Sequence, residues 1–217
     1  MQRRRLGRFE VSVVGLGSNN FGTTFATPVD ARGTRQVADA ALEAGVNLID
    51  TADVYGDSEA YLGEALRGRR DDVVVATKFG GQFGPDPSHR GASAQWITQA
   101  VEGSLQRLQT DRIDLYQLHV PDPNTPIDET LTALDALVRA GKVVEIGCSN
   151  FSGELIDEAH KSAASLGVRC FASAQNDLGV ATFGRLTRGR DRDALGPAGR
   201  GMSSTRGGRL RGRWRAS

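Results

Sequence analysis

Cysteine is scarce: the 217 residues hold two, Cys148 and Cys170. Neither lies in a C-x-x-C pair or a metal-ligand spacing. That excludes a disulfide framework, and no metal is expected. Such usage suits a reducing compartment, and a cytoplasmic location is expected. Long apolar runs are missing too. The run over residues 11–16 is broken by Ser12 and Gly15. It is far shorter than the roughly 20 residues that cross a bilayer, and too short for a signal-peptide core, so no membrane partner is expected. The motifs HExxH, GxSxG and GxxxxGK(S/T) are absent. Gly15-Leu16-Gly17 lacks the third glycine of a dinucleotide fingerprint, because Asn20 stands in its place. Zincin, serine-hydrolase, P-loop and Rossmann chemistries are thereby set aside.

Apolar residues make up 39% of the chain and charged residues 24%, enough for one globular core. The charge is uneven. Residues 181–217 carry ten Arg, no Lys and two Asp, a net +8, which leaves −7 for residues 1–180 against a total of +1. Residues 11–175 alternate short β-branched runs with amphipathic ones. Strands are predicted at 11–16, 46–50, 73–77, 113–118, 143–148 and 168–174. Runs this short and apolar suit parallel strands covered on both faces.

Five helices are predicted between them. The first faces inward with Val37, Ala38, Ala41 and Leu42, and Gly45 stops it. The second uses Tyr61, Leu62, Ala65 and Leu66. The third aligns Ile97, Val101, Leu105 and Leu108 behind Ser93 as N-cap. In the fourth, Thr125 and Asp128 form a variant capping box around Pro126, with Gly141 at the end. The fifth runs from Ser152 to Leu166, with Gly167 as its stop. Strict alternation argues for an α/β fold with a parallel sheet and right-handed crossovers. A doubly wound open sheet and a barrel fit this pattern equally.

Polar residues gather at the ends of the predicted strands. Asp50 ends the second, Lys78 follows the third, His119 follows the fourth, Ser149 and Asn150 follow the fifth, and Gln175 follows the sixth. Tyr55 lies five residues beyond Asp50. In a (β/α) barrel those ends share one face, which holds the active site. Together the residues suit carbonyl reduction. The hydride must come from a nicotinamide cofactor, since no side chain supplies one. The proton would come from Tyr55, eased by Lys78, which Asp50 orients, while His119 hydrogen-bonds the carbonyl oxygen. Taken singly, each of these residues reads as structural. Their joint placement is what argues for chemistry. His89 and His160 lack such placement and read as surface residues, Tyr61 and Tyr116 as packing, and Cys148 as a buried inert thiol.

Five motifs carry a family resemblance. They are Asp50-Thr51-Ala52-Asp53-Val54-Tyr55-Gly56 with Ser58-Glu59 behind it, Ala76-Thr77-Lys78-Phe79-Gly80, Asp114-Leu115-Tyr116-Gln117-Leu118-His119, Ile146-Gly147-Cys148-Ser149-Asn150-Phe151, and Gly15-Leu16-Gly17-Ser18-Asn19. The chain resembles the aldo-keto reductases over roughly residues 3–178, with Pro121-Asp122-Pro123-Asn124-Thr125-Pro126 similar to their potassium-channel β-subunit-like branch. The resemblance implies a (β/α)8 TIM-type barrel plugged by an N-terminal hairpin, with Arg3–Leu6 as its first arm and residues 8–11 as its second. It implies NADPH and a small-molecule carbonyl substrate. Asp50, Tyr55, Lys78 and His119 become the catalytic set. Ser18, Asn19, Asp50, Ser149, Asn150 and Gln175 become cofactor-binding residues.

The likeness stops after Leu178. About six of the eight barrel strands are legible, so the barrel is expected to be incomplete: residues 1–180 form a partial barrel, and 181–217 a basic, low-complexity tail. The tail has eight Gly, no Ile and no Val, a composition that favours disorder. It reads as a GC-rich frame translated out of register. The chain is therefore expected to bind NADPH weakly or not at all. Two other function classes stand beside the reductase. One is a non-catalytic cofactor-sensing subunit. The other is nucleic-acid binding through the Arg/Gly tail, against which stands its poor supply of stacking aromatics, Trp214 besides Phe183.

Overall fold

A computed structural model describes residues 1–22 and 27–177. The expected tail at 181–217 and the domain boundary near 180 lie outside the described residues. The chain opens with a hairpin, β1 (Arg3–Leu6) against β2 (Phe9–Ser12). Then follow β3 (Leu16–Gly17), α1 (Ala31–Glu43), β4 (Leu48–Asp50), α2 (Ser58–Ala65), β5 (Val74–Phe79), α3 (Ala94–Leu108), β6 (Ile113–Leu118), α4 (Ile127–Arg139), β7 (Val143–Ser149), α5 (Gly153–Leu166) and β8 (Ser173–Gln175). Strands β3 to β8 pair in sequence order, all parallel, as a six-stranded sheet. Five helices cover its outer face, giving six strands of a (β/α)8 barrel.

Two cores hold this arrangement. The larger lies between sheet and helices, with Leu62, Ile97, Val101, Tyr116, Leu131 and Leu134 essentially inaccessible. The smaller lies at the other face of the sheet, where Leu6 and Val11 of the hairpin meet Leu48, Val74, Ala76 and Leu115. The hairpin thus plugs the bottom, as expected. Asn47 fastens it: its Oδ1 accepts from Ser12 N at 2.7 Å, and its N donates to Ser12 Oγ at 3.1 Å.

The helix ends follow local chemistry. Ser93 Oγ accepts from Trp96 N at the start of α3, and Ser152 Oγ from Leu155 N at the start of α5. Gly167, at φ +66°, closes α5 in the left-handed conformation that glycine adopts without strain.

Four expectations are corrected. Residues 11–16 are not one strand. Ser12 Oγ donates to Val14 O and turns the chain, so β2 ends at Ser12, β3 begins at Leu16, and Val13 and Val14 are exposed. Residues 168–174 are not a strand throughout. Val168 N still bonds Ala163 of α5, and pairing with β7 starts only where Ala172 N reaches Ile146 O. The capping box at α4 does not form. Thr125 Oγ1 donates instead to Asp122 Oδ2, and Asp128 Oδ1 accepts from Ser162. Val37 is 38% exposed, and Thr34 with Ala38 carries the buried face of α1.

Candidate active site

The strand register brings the predicted residues to one rim. Asp50 pairs with Ala76 in β5, and Lys78 lies two residues further on. Period-two alternation therefore points both side chains the same way. Lys78 Nζ donates to Asp50 Oδ2 at 2.7 Å and to Thr51 O at 3.0 Å, with Lys78 only 2% exposed. The same ammonium lies 5.2 Å from the centroid of the Tyr55 ring. That ring meets His119 edge-on at 5.8 Å between centroids. Four side chains from three strand ends and one loop are thus linked in series, Asp50 to Lys78 to Tyr55 to His119. Lys78 and Ser149 prove to be strand residues rather than loop residues, and β8 extends to include Gln175.

The polar residues of β7 and β8 join this group. Gln175 Nε2 reaches Asp50 Oδ2 at 3.4 Å, and its Oε1 accepts from Gln117 Nε2 at 3.2 Å. Asn150 takes the left-handed conformation, φ 61°, and its Nδ2 donates to His119 O at 2.9 Å and to Ser149 Oγ at 3.1 Å. Ser18 is fully buried beneath the rim. Its Oγ donates to Asp50 O at 2.9 Å and accepts from Ser58 Oγ at 2.7 Å. Asn19 is exposed, and among the described residues no side-chain hydrogen bond connects it to the other eight.

Burial, then Asp50, then Asp53 push the Tyr55 phenol up to about 12. The Lys78 ammonium is bonded to Asp50 and lies beside the Tyr55 ring. Burial first and Lys78 second push His119 down to about 4, so its imidazole is neutral at pH 7. A neutral imidazole can donate one hydrogen bond to an oxygen without adding charge. Cys148 is buried and pushed up to about 12, which bears out an inert thiol.

Sequence reasoning missed a second polar cluster behind this rim. Glu59, 1% exposed, accepts from Arg107 Nε at 2.8 Å and from Thr77 Oγ1 at 2.5 Å. Asp53, 3% exposed, has no side-chain hydrogen-bond partner on either carboxyl oxygen among the described residues. Burial and Glu59 push it up to about 7. The only sequence signal was density: Asp50, Asp53 and Glu59 crowd the segment that also carries Tyr55. His89, expected at the surface, is half-buried and stacks on Trp96 at 4.8 Å. With Phe83, Asp53 and Arg107 these two rings line a cavity of about 210 Å³. A larger cavity, about 390 Å³, lies between the starts of α4 and α5, away from the four-residue cluster. Among the described residues no metal-binding group of His, Cys, Asp and Glu is found, and no helix is long and apolar enough to cross a membrane.

Comparison with known proteins identifies the family. The chain is 44% identical over 152 residues to the aldo-keto reductase YhdN of Bacillus subtilis, covering 68% of this chain and 46% of that protein. It is 37% identical over 173 residues to a probable voltage-gated potassium channel subunit beta of Oryza sativa, covering 76% and 52%. It is 35% identical over 198 residues to a 6-dehydroglucose reductase of Novosphingobium aromaticivorans, covering 80% and 63%. The chain spans about half the length of the curated relatives it matches. Residues 13–178 match the aldo/keto reductase family, and the chain belongs to it.

Proposed function

We propose that this chain carries the acid and orienting half of an NADPH-dependent carbonyl reductase, converting an aldehyde or ketone to an alcohol. The observation that carries the reading is the joined set Asp50, Lys78, Tyr55 and His119 at the strand ends. The carbonyl oxygen takes a proton from Tyr55 Oη as negative charge develops on it. A phenol near 12 is a weak acid in water, yet the forming alkoxide is more basic still, so the transfer runs downhill late in the reaction. Neutral His119 donates a hydrogen bond to the same oxygen and fixes its place. Lys78, held by Asp50, puts positive charge beside the phenolate that remains.

When bound, the nicotinamide supplies the hydride to the carbonyl carbon. The residues at the rim fit a carboxamide: Gln175, Asn150 and Ser149 bring amide and hydroxyl groups, and Asp50 Oδ1 is a buried acceptor without a partner among the described residues. Ser18 and Asn19 complete the proposed cofactor contacts.

The test is aldehyde-dependent oxidation of NADPH by the 217-residue chain and by Tyr55→Phe, at millimolar cofactor. General-acid catalysis is worth on the order of 10²–10⁴ in rate. A loss of that size in the variant, with cofactor binding kept, is the expected result. Cofactor binding without turnover in the parent chain would contradict the proposal and favour a cofactor-sensing role.

A further inference from the structure

Behind the active-site rim, two buried carboxylates share one guanidinium, and the sharing is unequal. Arg107 Nε and Nη2 both lie 2.8 Å from Glu59 Oε2, and Thr77 serves Glu59 Oε1. Asp53 is as deeply buried, and among the described residues no side chain bonds either of its oxygens. A buried carboxylate without a partner is costly, so protonation is its ordinary way out. Asp53 also lines the cavity of about 210 Å³ enclosed by Phe83, His89, Trp96 and Arg107. That volume holds several water molecules, each needing roughly 30 Å³.

Asp53 is three residues from Asp50 and two from Tyr55, and its backbone N bonds Lys78 O at 3.0 Å. It therefore stands against the wall of the proposed catalytic site. The groups that face it are Glu59 from α2, Arg107 from α3, Lys78 from β5 and the fully buried Tyr116 from β6, with His89 across the cavity. Among the described residues the Tyr116 hydroxyl has no hydrogen-bond partner.

We propose that Asp53 is a positioning residue of electrostatic kind: it exchanges a proton with solvent through the cavity behind the rim, and its charge state governs the acidity of Tyr55. Protonated, Asp53 leaves the phenol unopposed. Ionised, it adds negative charge beside the forming phenolate and resists proton release. This is consistent with burial raising Asp53 to about 7 and with Asp53 being one of the groups that raise Tyr55. The inference rests on Tyr55 as proton donor for its consequence, but not for its test.

The test is carbon-13 NMR of the full 217-residue chain, labelled at aspartate Cγ and tyrosine Cζ and titrated from pH 4 to 9. Asp53 Cγ is expected to titrate near 7, and Tyr55 Cζ to show a step at the same pH that vanishes in Asp53→Asn. An Asp53 midpoint near the ordinary value of about 4 would overturn the proposal. So would a Tyr55 step that persists in the variant. Should Asp53→Asn not fold, the parent chain decides alone: coincident steps near 7 sustain the inference, and a Tyr55 signal indifferent to Asp53 ends it. None of these signals requires turnover. An active Tyr55→Phe variant would sink the reductase reading and leave the Asp53 titration standing.

Discussion

Burying the Lys78 ammonium is costly, and the side chain is tied down at both of its polar contacts. At 2% exposure its ammonium has exchanged water for Asp50 Oδ2 and Thr51 O. Replacing it by Met would keep the volume of the stem and leave the Asp50 carboxylate buried with only the long contact to Gln175. Breaking one side of a buried ion pair costs roughly 3 kcal/mol or more. Lys78→Met is therefore expected to lose about 3 kcal/mol in urea unfolding, while a double variant, Asp50→Asn with Lys78→Met, recovers part of that loss. A double-variant stability equal to or below that of Lys78→Met would contradict the pairing. The same residue scale shows what was legible beforehand. Asp50, Lys78, His119, Ser149 and Gln175 stand at strand ends, where a parallel sheet has one functional face, so position alone marked them. Asp53 and Glu59 carried no such mark. Their burial depends on Arg107, which lies 48 residues from Glu59 in sequence, and a charge in an acidic segment reads as solvated until that partner is in view.

At the scale of elements, the helices pack on one another through close backbone approaches as well as through side chains. Gly63 in α2 is the tightest case. A Cβ there would lie 2.7 Å from Arg107 O and 2.8 Å from Leu108 O, both backbone atoms of α3 that cannot step aside alone. Alanine favours helix over glycine by about 1 kcal/mol. Overpacking against backbone costs typically 1–3 kcal/mol, and here the second effect wins. Gly63→Ala is expected to lower stability by about 1 kcal/mol and to lower Tm. A raised Tm would mean that α2 and α3 are spaced more widely than described. Elements whose signals are local were legible: the Ser93 and Ser152 caps, the Gly167 stop, and strands β6 and β7 at nearly their full length. Elements whose ends depend on neighbours were not. Strand β8 starts late because Val168 is still spent on closing α5. Residues 11–16 divide because Asn47, a distant residue, claims Ser12.

For the whole molecule, the fold gathers four side chains from the β4, β5 and β6 ends onto one rim, and the account of function stands on that gathering. Periodicity left barrel and open sheet undecided. The pairing order from β3 to β8, with the hairpin packed under it, gives the partial barrel that the family resemblance implied. His119 is the most sensitive reporter of the arrangement. An imidazole on an open surface titrates near 6.5. One enclosed against Tyr55 and near the Lys78 ammonium is held to about 4, so it stays neutral well below pH 6. The most direct test is nitrogen-15 NMR of the His119 ring across pH 3 to 8. A midpoint near 4 that rises in Lys78→Met is the predicted result. A midpoint near 6.5, unmoved by that substitution, would place His119 away from the lysine and contradict the assembled site.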